Sequence, residues 1–497
     1  MPKGPIRRAQ LVAPLGVGGI TVARDGTSLI AAGLDHWFKR ESGTGDNIDL
    51  DDYQIEEWRL QGQLQVEHFR LAPDYRKGGQ WGGGQIPNTE LTIPFLRFPQ
   101  WHVCPKCKRL ERAPLTLRAR FFCPDCEKKT ARKERMHQVR FIAMCDHGHI
   151  QDFPWREWVH RTSSPGCNEP LRLIATGSAS LGGEMVRCGC GKERSLSGIM
   201  QANVDGTTFL SNNLSEDGTI YRCRGRLPWF GIEEDAQNLC SQPLRGTLPS
   251  ASNVYFAHTR SSIYLPRGTA AVPEGLITLL EKPPYSTTIS SARDLGALAN
   301  LTPAILRNKQ SLPLKPFSDA QVAAAIGMVT ADPPLPETEE GEGAAEEYSE
   351  VAFRREECTA LRSGRQESEL QVKVVNLSDY APEVSRFFSR IALVERLKET
   401  RALFGFSRIY PEVNWSPEEH RAMLWRQPPP MGVLALYPSG WFRMDKEPGQ
   451  RGALRCRCGA GRHRHPPRCN RPLAHAGAPP RDVPNRASVA GAIGMVR

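Results

Sequence analysis

Three features of the sequence predict a multidomain α+β protein with a cysteine-rich middle region. Short apolar runs separated by Gly, Asp and Asn clusters occupy residues 1–100 and favour β-strands joined by turns. Ten of the 14 cysteines fall within residues 101–245. Helical periodicity is clearest in the second half of the chain. The 497 residues exceed the about 250–300 that one hydrophobic core usually serves, so we expect more than one domain.

Changes in composition mark the expected domain boundaries. We expect a β-rich N-terminal region (1–100), a cysteine-rich region (101–250), a mixed α/β segment (251–330), an acidic flexible linker (331–350), a partly helical C-terminal region (351–430) and a basic low-complexity tail (431–497). The linker contains three prolines and seven glutamates, and such a composition buries too little apolar surface to fold.

The strongest helical pattern follows the linker. Apolar residues between Val384 and Leu403 recur at roughly helical spacing, with Pro382 near the start and Gly405 at the end. We therefore predict one helix over this stretch. A second, shorter helix is predicted over Asp319–Val329.

The net charge of +11 is concentrated at the C-terminus. Residues 449–497 contain ten arginines and one acid, whereas the other 448 residues carry 55 bases and 53 acids. The tail is mostly Ala, Gly, Pro and Arg, as in a disordered basic arm or in an out-of-frame reading of a GC-rich gene. Net charge therefore says little about what the folded part of the chain binds.

The sequence indicates a soluble cytoplasmic protein without a membrane partner. No apolar run approaches the about 20 residues that a membrane-spanning helix requires. The N-terminal basic residues precede a stretch broken by Pro14 and several glycines, and no small-residue cleavage signal follows before Arg24. Cys-x-x-Cys pairs outside a small secreted domain also favour metal binding over disulfides.

Four cysteines have the spacing of a structural zinc site. Cys104 and Cys107 are separated by two residues, as are Cys123 and Cys126, and fifteen residues separate the pairs. Two thiolates in one tight turn can face one ion, and two such turns complete the tetrahedral shell that Zn²⁺ prefers. The middle region is therefore predicted to be zinc-ribbon-like, with disulfides or unrelated buried cysteines as the alternative.

The remaining cysteines of the middle region suggest further sites. Cys188 and Cys190 lie in one Gly-containing turn, and we expect Cys223 and Cys240 to complete a second zinc site with them. A possible third, mixed site is predicted from the residues left over. Its candidate ligands are Cys145, His149, His160 and Cys167. His147 lies in the same segment, and for His147 and His149 the alternative is an ordinary loop position with a hydrogen bond.

The sequence does not predict an enzyme. It lacks the phosphate-binding G-x₄-G-K-[ST] loop, the H-E-x-x-H zinc motif and the G-x-S-x-G nucleophile turn. A zinc ion held by four thiolates has no open position for water, so such sites are structural. The alternative is a zinc-dependent nucleic-acid-processing enzyme whose catalytic residues are scattered along the chain.

A basic segment follows the first zinc motif and is a candidate DNA contact. Between Cys104 and Arg140 there are twelve Lys or Arg residues and four acids. The candidate residues, spaced as on a basic helical face, are Lys128, Lys129, Arg132, Lys133, Arg135 and Arg140. Such a face suits phosphate contacts. The alternatives are a solvated charged face, or a protein-docking surface made by the apolar groups around Trp155 and Trp229.

Several motifs recur in a fixed order. The first are Arg8-x-Gln10 with its Gly-rich turn, Gly33-Leu-Asp35-x-Trp37 and Phe98-Pro-x-Trp101. The next are Cys145-x-x-Gly148-His149-x-x-Asp152-Phe-Pro-Trp155-x-x-Trp158-x-His160 and Ser252-Asn253-Val-Tyr255. The last is Leu393-Val-Glu-Arg396-Leu-Lys-Glu399-x-Arg401-Ala-Leu403-x-Gly405-Phe406-Ser-Arg408. Over residues 6–415 the chain resembles the DrmB subunits of bacterial DISARM anti-phage systems, and it departs from that pattern after Pro411.

The resemblance implies a non-catalytic, zinc-containing accessory subunit. Such a subunit partners a DrmA-like DNA helicase as a heterodimer and helps to bind DNA during antiviral defence. The family's C-terminal domain also occurs fused to helicases in DNA-repair proteins, which fits a helicase-accessory role. The departure after Pro411 puts an intact C-terminal domain in question. The alternatives are the zinc-dependent enzyme and a scaffold that binds only protein.

Overall fold

The structure is a computed structural model, and the residues it describes fall into two compact units. The first unit is Met1–Ser262 with Thr400–Ser439, and the described residues of the second lie within Ile263–Glu399. The described residues are 6–40, 48–55, 57–64, 66–76, 80–81, 84–85, 87–130, 133–175, 181–231, 240–265, 272–282, 284–309, 313–330, 342–364, 370–426 and 432–439. The predicted basic tail lies outside them from residue 440 onward.

The described residues form both helices and strands, and the predicted α+β class is confirmed. The strands are β1 Ile20–Val22, β2 Ser28–Ala31, β3 Lys39–Arg40, β4 Gln54–Ile55, β5 Val66–Leu71, β6 Gln80–Trp81, β7 Gly84–Gln85, β8 Leu91–Thr92, β9 Phe95–Arg97, β10 Trp101–Val103, β11 Arg109–Arg112, β12 His137–Gln138, β13 Ile142–Met144, β14 Ile150–Asp152, β15 Leu171–Ala175, β16 Glu184–Cys188, β17 Glu193–Ser195, β18 Arg245–Thr247, β19 Phe256–Ile263, β20 Gln371–Val375, β21 Ile391–Arg396, β22 Glu399–Ser407 and β23 Gly432–Ser439. The helices are α1 Trp58–Leu64, α2 Pro124–Thr130, α3 Trp155–His160, α4 Phe209–Asn213, α5 Glu274–Leu280, α6 Tyr285–Asp294, α7 Leu298–Arg307, α8 Asp319–Thr330, α9 Glu342–Arg362, α10 Pro382–Phe387 and α11 Pro417–Leu424.

A six-stranded antiparallel sheet organises the cysteine-rich region, in the order β12-β10-β11-β15-β16-β17. Alternation along β15 shows why it forms, since Leu171 and Leu173 are buried whereas Arg172 is exposed. Leu173 lies opposite Val186 of β16 in the register. Their buried side chains join an apolar core with the indoles of Trp155 and Trp158.

A second sheet lies in the same unit and brings distant parts of the chain together. Its order is β14-β13-β18, so the hairpin β13–β14 pairs with a strand about one hundred residues later. Met144 lies opposite both Ile150 and Arg245 in the register. Because β13 and β14 are buried along their whole length, this hairpin is a fixed base for the turn between its strands.

The first unit is completed by a return of the chain. β22 and β23 enter a sheet with the order β19-β22-β23-β5-β4, and β23 runs parallel to β5. The fully buried Arg408 follows β22 and donates hydrogen bonds to the carbonyl oxygens of Gly18, Gly148 and Val254. Three separate segments are thereby held by one guanidinium, whose rigid fork of donors suits several carbonyls at once.

The second unit is mainly helical in its described part. Helices α5 to α8 pack around a core that includes Leu276, Leu280, Ile305 and Val322. A two-stranded sheet of β20 and β21 packs with α9 through a separate apolar cluster. The predicted helix over Asp319–Val329 corresponds to α8.

One predicted helix is wrong. The stretch from Val384 to Leu403 holds the end of α10, then β21 and most of β22. Val394 of β21 pairs with Val372 of β20. Ile391, Val394 and Leu403 therefore lie in strands, whereas Val384 and Phe387 belong to the short helix α10. Of the expected acidic linker, residues 331–341 lie outside the described residues, and residues 342–350 lie in α9, which begins at Glu342.

Among the described residues, no helix has the combined length and apolar character needed to cross a membrane.

Candidate metal centres

Two knuckles bring the first four cysteines together. Cys104 and Cys107 lie in the turn of the β10–β11 hairpin, where Lys108 adopts a left-handed backbone conformation and its N–H donates to the carbonyl of Cys104. Cys123 precedes α2, and Cys126 lies in the first turn of that helix. This group is the one predicted from the Cys-x₂-Cys spacing.

The sulfur atoms of this first tetrad have the separations of a metal site. Sγ of Cys104 and Sγ of Cys126 are 3.7 Å apart, and those of Cys107 and Cys123 are 3.4 Å apart. Four sulfurs bonded to one tetrahedral Zn²⁺ lie about 3.8 Å from one another. No described cysteine forms a disulfide, so the donors are thiols.

An ion pair joins the two knuckles of the first tetrad. Arg109, on β11, lies 2.6 Å from the carboxylate of Asp125, on α2, and both side chains are largely buried. Burial raises the pKa of the Cys123 thiol to about 12. A metal must displace this proton, so its binding is expected to release protons and to weaken as the pH falls.

The second tetrad consists of Cys145, His149, Cys223 and Cys240. Cys145 and His149 occupy the turn of the β13–β14 hairpin, with Cys145 Sγ 3.4 Å from His149 Nδ1. The N–H of Cys223 donates to the carbonyl of Gln242, which holds Cys223 beside the segment that contains Cys240. A side-chain hydrogen bond that the Cys145 thiol donates to Cys223 raises the pKa of Cys145.

His147 lies beside the second tetrad. Its Nδ1 is 3.7 Å from Cys240 Sγ, and its Nε2 is 3.2 Å from the side-chain amide of Gln242. His149, in contrast, has a ring nitrogen within the ligand cluster itself. We therefore take His149 as the nitrogen donor and His147 as a neighbour that supports Cys240.

The third tetrad consists of His160, Cys167, Cys188 and Cys190. Cys167 Sγ lies 3.6 Å from Cys188 Sγ, and Cys190 Sγ lies 3.5 Å from Nε2 of His160. The other ring nitrogen of His160 is 2.8 Å from the carbonyl of Arg156. A hydrogen bond there places the proton on Nδ1 and leaves Nε2 as the donor to a metal.

Cys190 differs from the other ligands of the third tetrad. It is exposed, and the pKa of its thiol is lowered to about 6. The main cause is a hydrogen bond that its sulfur accepts from the backbone N–H of Lys192. Burial raises the pKa of Cys188 to about 11. The third tetrad therefore contains a surface thiolate at neutral pH, as metal binding requires.

The predicted grouping of the later ligands requires correction. Cys188 and Cys190 do not join Cys223 and Cys240, and the candidates for a mixed site are divided between two tetrads. His160 and Cys167 join Cys188 and Cys190, whereas Cys145 and His149 join Cys223 and Cys240. The pairing of β13 with β18 explains this, because it brings the residues just before β18 beside the β13–β14 turn. The missing signal was this long-range strand pairing.

Each group offers four protein ligands, which fits a closed metal site. The first tetrad has four sulfur donors, and the other two have three sulfurs and one imidazole nitrogen. These donor sets are typical of structural zinc. Cys358 lies on α9, outside the three tetrads, and the further cysteines and histidines of the tail lie outside the described residues.

The basic segment does not form one helical face. Helix α2 ends at Thr130, and among the candidates that the structure describes only Lys128 and Lys129 are helical. Three others form ion pairs, namely Lys133 with Glu127, Arg135 with Asp25 and Arg140 with Glu184. Arg132 lies outside the described residues. The expected continuous face is therefore a short exposed basic end of α2 followed by a partly neutralised segment.

The aromatic groups that suggested a docking surface are buried. Trp155, Trp158 and Trp229 have at most 1% of their surface exposed. Trp229 donates to the carbonyl of Met423 and packs against Phe406, whereas Trp155 and Trp158 contact Phe153. These residues are part of the core.

Comparison with known proteins places the three tetrads in a shared domain. Residues 7–256, half of the chain, match a family described as a domain of unknown function, DUF8724, and all twelve tetrad residues lie within that stretch. The chain is 29% identical over 362 residues to the DISARM protein DrmB of Bacillus paralicheniformis. The alignment covers 69% of this chain and 56% of the relative, so the chain spans little more than half of that protein's length. The resemblance drawn from the motifs is confirmed: the chain is DrmB-like and belongs to the DUF8724 family.

Proposed function

We propose that this protein is a zinc-containing accessory subunit of a DISARM anti-phage defence system. The observation that carries the proposal is the similarity of 69% of the chain to the DISARM protein DrmB. In this role it partners a DrmA-like DNA helicase as a heterodimer in the cytoplasm and helps to bind DNA. The three tetrads hold Zn²⁺ and stabilise the unit that contacts these partners.

Zinc is the metal that best suits these donors. Thiolate and imidazole ligands in a tetrahedral arrangement favour Zn²⁺ over the oxygen-preferring Mg²⁺ and Ca²⁺. Each zinc cross-links segments that the short strands alone hold weakly. In the second tetrad, for example, Cys145 and Cys240 are separated by more than ninety residues of chain.

The metal centres support a structural role. With four protein ligands each, none of the three tetrads has a position for a metal-bound water, which a hydrolytic zinc site requires. The competing proposal, a zinc-dependent nucleic-acid-processing enzyme, needs a metal with an open position. X-ray absorption spectra showing only sulfur and imidazole ligands would exclude it for these sites.

DNA contact is proposed at the exposed end of α2 and the segment after it. Lys128 and Lys129 are exposed beside the first tetrad. The other residues of the proposed contact are Arg132, Lys133, Arg135 and Arg140. Those with acidic neighbours can exchange these exposed ion pairs for phosphates, because surface ion pairs contribute only about 0–1 kcal/mol.

The test is co-purification with the helicase encoded beside this gene, followed by DNA-stimulated ATP hydrolysis of the complex. We expect a stable complex whose ATPase activity differs from that of the helicase alone. Absence of a complex would contradict the partnership. DNA binding without a helicase would leave only the DNA part of the proposal.

A pair of variants tests the DNA contact. Lys128→Glu combined with Lys129→Glu should weaken binding of a short DNA at low salt and reduce the salt dependence of binding. Lys39, an exposed lysine of β3 in the same unit, provides the control Lys39→Glu. Equal weakening by the control would show a general charge effect, and a scaffold that binds only protein would show no DNA binding in any form.

A further inference from the structure

A cavity of about 330 Å³ in the first unit is lined in part by residues from the segments that carry ligands of the second and third tetrads. Its floor includes the buried Asp152 and Tyr221, and its rim includes the exposed Arg112 and Ser164. Ligand sites usually measure about 300–1,000 Å³, so this cavity has room for one small molecule of nucleotide size.

The segments that form the cavity are fixed by the metal ligands. The stretch from His149 to His160 contributes a ligand to the second tetrad at one end and to the third at the other. Between these ligands it places Asp152 and Trp155 in the cavity wall. Cys223, a ligand of the second tetrad, lies between two further wall residues, Tyr221 and Arg224. A bound metal would therefore hold the cavity walls in place.

The charge of the wall favours an anion. Four arginines line the cavity against two acids, Asp152 and Glu157. The arginines are Arg112, Arg156, Arg224 and Arg226. Planar guanidinium groups bind phosphate through paired hydrogen bonds, so several of them around one cavity suit a phosphate group.

Two of these arginines also organise the wall. Arg224 donates to the hydroxyl of Tyr221 at 3.1 Å and to the carbonyl of Ser163 at 3.0 Å. Arg156 donates to the carbonyls of Cys167 and Glu169, both at 3.0 Å. Arg156 thereby links the cavity wall to the loop of the third tetrad.

The rest of the wall suits a nucleobase. Trp101 is half-buried and offers an aromatic surface beside the arginines, whereas the buried ring of Tyr221 lies under the guanidinium of Arg224. Asp152 accepts the N–H of Gln100 at 2.8 Å and a hydrogen bond from the N–H of Trp101. A carboxylate has about four acceptor positions, so Asp152 retains the capacity to accept an N–H of a base.

We propose that this cavity binds a single nucleotide unit, with its phosphate against the arginines and its base against the aromatic wall and Asp152. The unit is either a free nucleoside monophosphate or one nucleotide of a single strand. This site is separate from the basic end of α2, and it stands whether or not the chain partners a helicase.

The test measures binding of dAMP, inorganic phosphate and an eight-residue single-stranded oligonucleotide to the full-length protein by calorimetry. Arg226→Gln should weaken nucleotide binding at least tenfold, because it removes one of the four guanidinium groups that line the cavity. The control Arg187→Gln removes an exposed arginine of β16 outside the cavity and should leave binding unchanged. Metal content of each variant reports whether the tetrads remain intact. If Arg226→Gln loses metal, Arg112→Gln at the exposed rim replaces it.

The source of the nucleotide follows from the same measurement. Tighter binding of dAMP identifies a free nucleotide, whereas tighter binding of the oligonucleotide identifies a strand, and both support the proposal. Binding of phosphate as tight as that of dAMP would overturn it, since the base would then contribute nothing. Absence of binding by both nucleotide probes, or equal loss in Arg187→Gln, would also overturn it.

Discussion

Gly18 combines a left-handed backbone with close packing. Its φ is +73°, and a Cβ at this position would lie 2.5 Å from Cζ of Phe406, a buried ring. Gly26 has a similar φ of +81° but no atom within 4 Å of such a Cβ. The two positions therefore separate the backbone requirement for glycine from the packing requirement.

We predict that Gly18→Ala destabilises the first unit more than Gly26→Ala does. In both variants the strain of a residue with a Cβ in the left-handed conformation lowers the free energy of unfolding by about 1–2 kcal/mol. Gly18→Ala loses about a further 1–3 kcal/mol, because the buried Phe406 ring has to move. Urea unfolding followed by tryptophan fluorescence measures both. Equal losses of unfolding free energy in the two variants would show that the Phe406 ring moves aside at no energetic cost.

Asp152 makes stability depend on pH. Burial raises its pKa from 3.8 to about 6, so the folded state binds the proton more tightly than the unfolded state. The stability contributed by this group is greatest below the unfolded pKa and is lost as the pH rises through the folded pKa. At about 1.4 kcal/mol per pKa unit, the unfolding free energy lost over the whole titration of Asp152 is about 3 kcal/mol. About half of this loss falls between pH 5 and pH 8.

We predict that Asp152→Asn removes this dependence. The asparagine oxygen still accepts the N–H of Gln100, but it does not titrate. Relative to the variant, the native protein should lose about 1–1.5 kcal/mol of unfolding free energy from pH 5 to pH 8. The titrations of the metal ligands are common to both proteins and cancel in this difference. A difference that stays constant with pH would contradict a raised pKa.

Individual ligands were predictable from the sequence only where their neighbours along the chain complete the site. The two-residue spacing of Cys104 and Cys107 fits one turn, and a second such pair supplies the other half of the tetrad. Cys145 and His149 have no second pair close by. Their partners become neighbours only through strand pairing, which local spacing does not encode.

At the scale of elements, the β10–β11 turn and the start of α2 share one candidate metal centre. The described residues around the first tetrad provide a small apolar cluster, which includes Met136 and Phe121. So few apolar groups cannot fix the two knuckles, and metal binding is expected to supply most of their stability.

We predict that replacing Cys104 and Cys107 together by serine removes one equivalent of zinc and lowers the soluble yield. Serine hydroxyls are poor ligands for zinc, so the two remaining thiols cannot hold the ion tetrahedrally. The control Cys358→Ser alters a cysteine outside the tetrads and should retain the full metal content. Zinc content is measured by mass spectrometry of the purified proteins. Unchanged zinc in the double variant would show that the tetrad is not a metal site.

The misassigned helix between Val384 and Leu403 shows the limit of periodicity at this scale. In β22 the buried residues include the adjacent pair Ala402 and Leu403 and the later Phe406, a spacing that a helix also allows. No Gly or Pro separates β21 from β22 to signal the turn between the strands. Pairing of β21 with β20 decided the structure, and that partner lies about twenty residues away.

At the scale of the whole molecule, the order of the metal ligands is nested. The ligands of the third tetrad lie in the sequence between the two halves of the second. The folded β13–β14 hairpin and β18 enclose the intervening chain as one loop, which carries α3 and strands β15 to β17. With metal bound, the second tetrad would close a long loop and the third would cross-link its interior. This arrangement would limit how the unit can unfold locally.

Exposure of the ligands predicts the order in which the metals leave. The first two tetrads contain only buried or half-buried ligands, whereas the third contains the exposed Cys190. A chelator must reach a ligand position to compete for the ion, so the third tetrad is the most accessible. We predict three equivalents of zinc per chain and release of one equivalent faster than the other two when a coloured chelator is added in excess.

The variant Cys190→Ser identifies the source of the fast phase. It should contain two equivalents and release both at the slow rates of the native protein, because the first and second tetrads are unchanged. Cys358→Ser should keep all three equivalents and the fast phase. If the fast phase persisted in Cys190→Ser, the exposed ligand would not control access to the metal. A single release rate for all three equivalents would instead show that loss of any one metal opens the whole unit. This is expected when the loop closed by the second tetrad unfolds together with the third tetrad inside it.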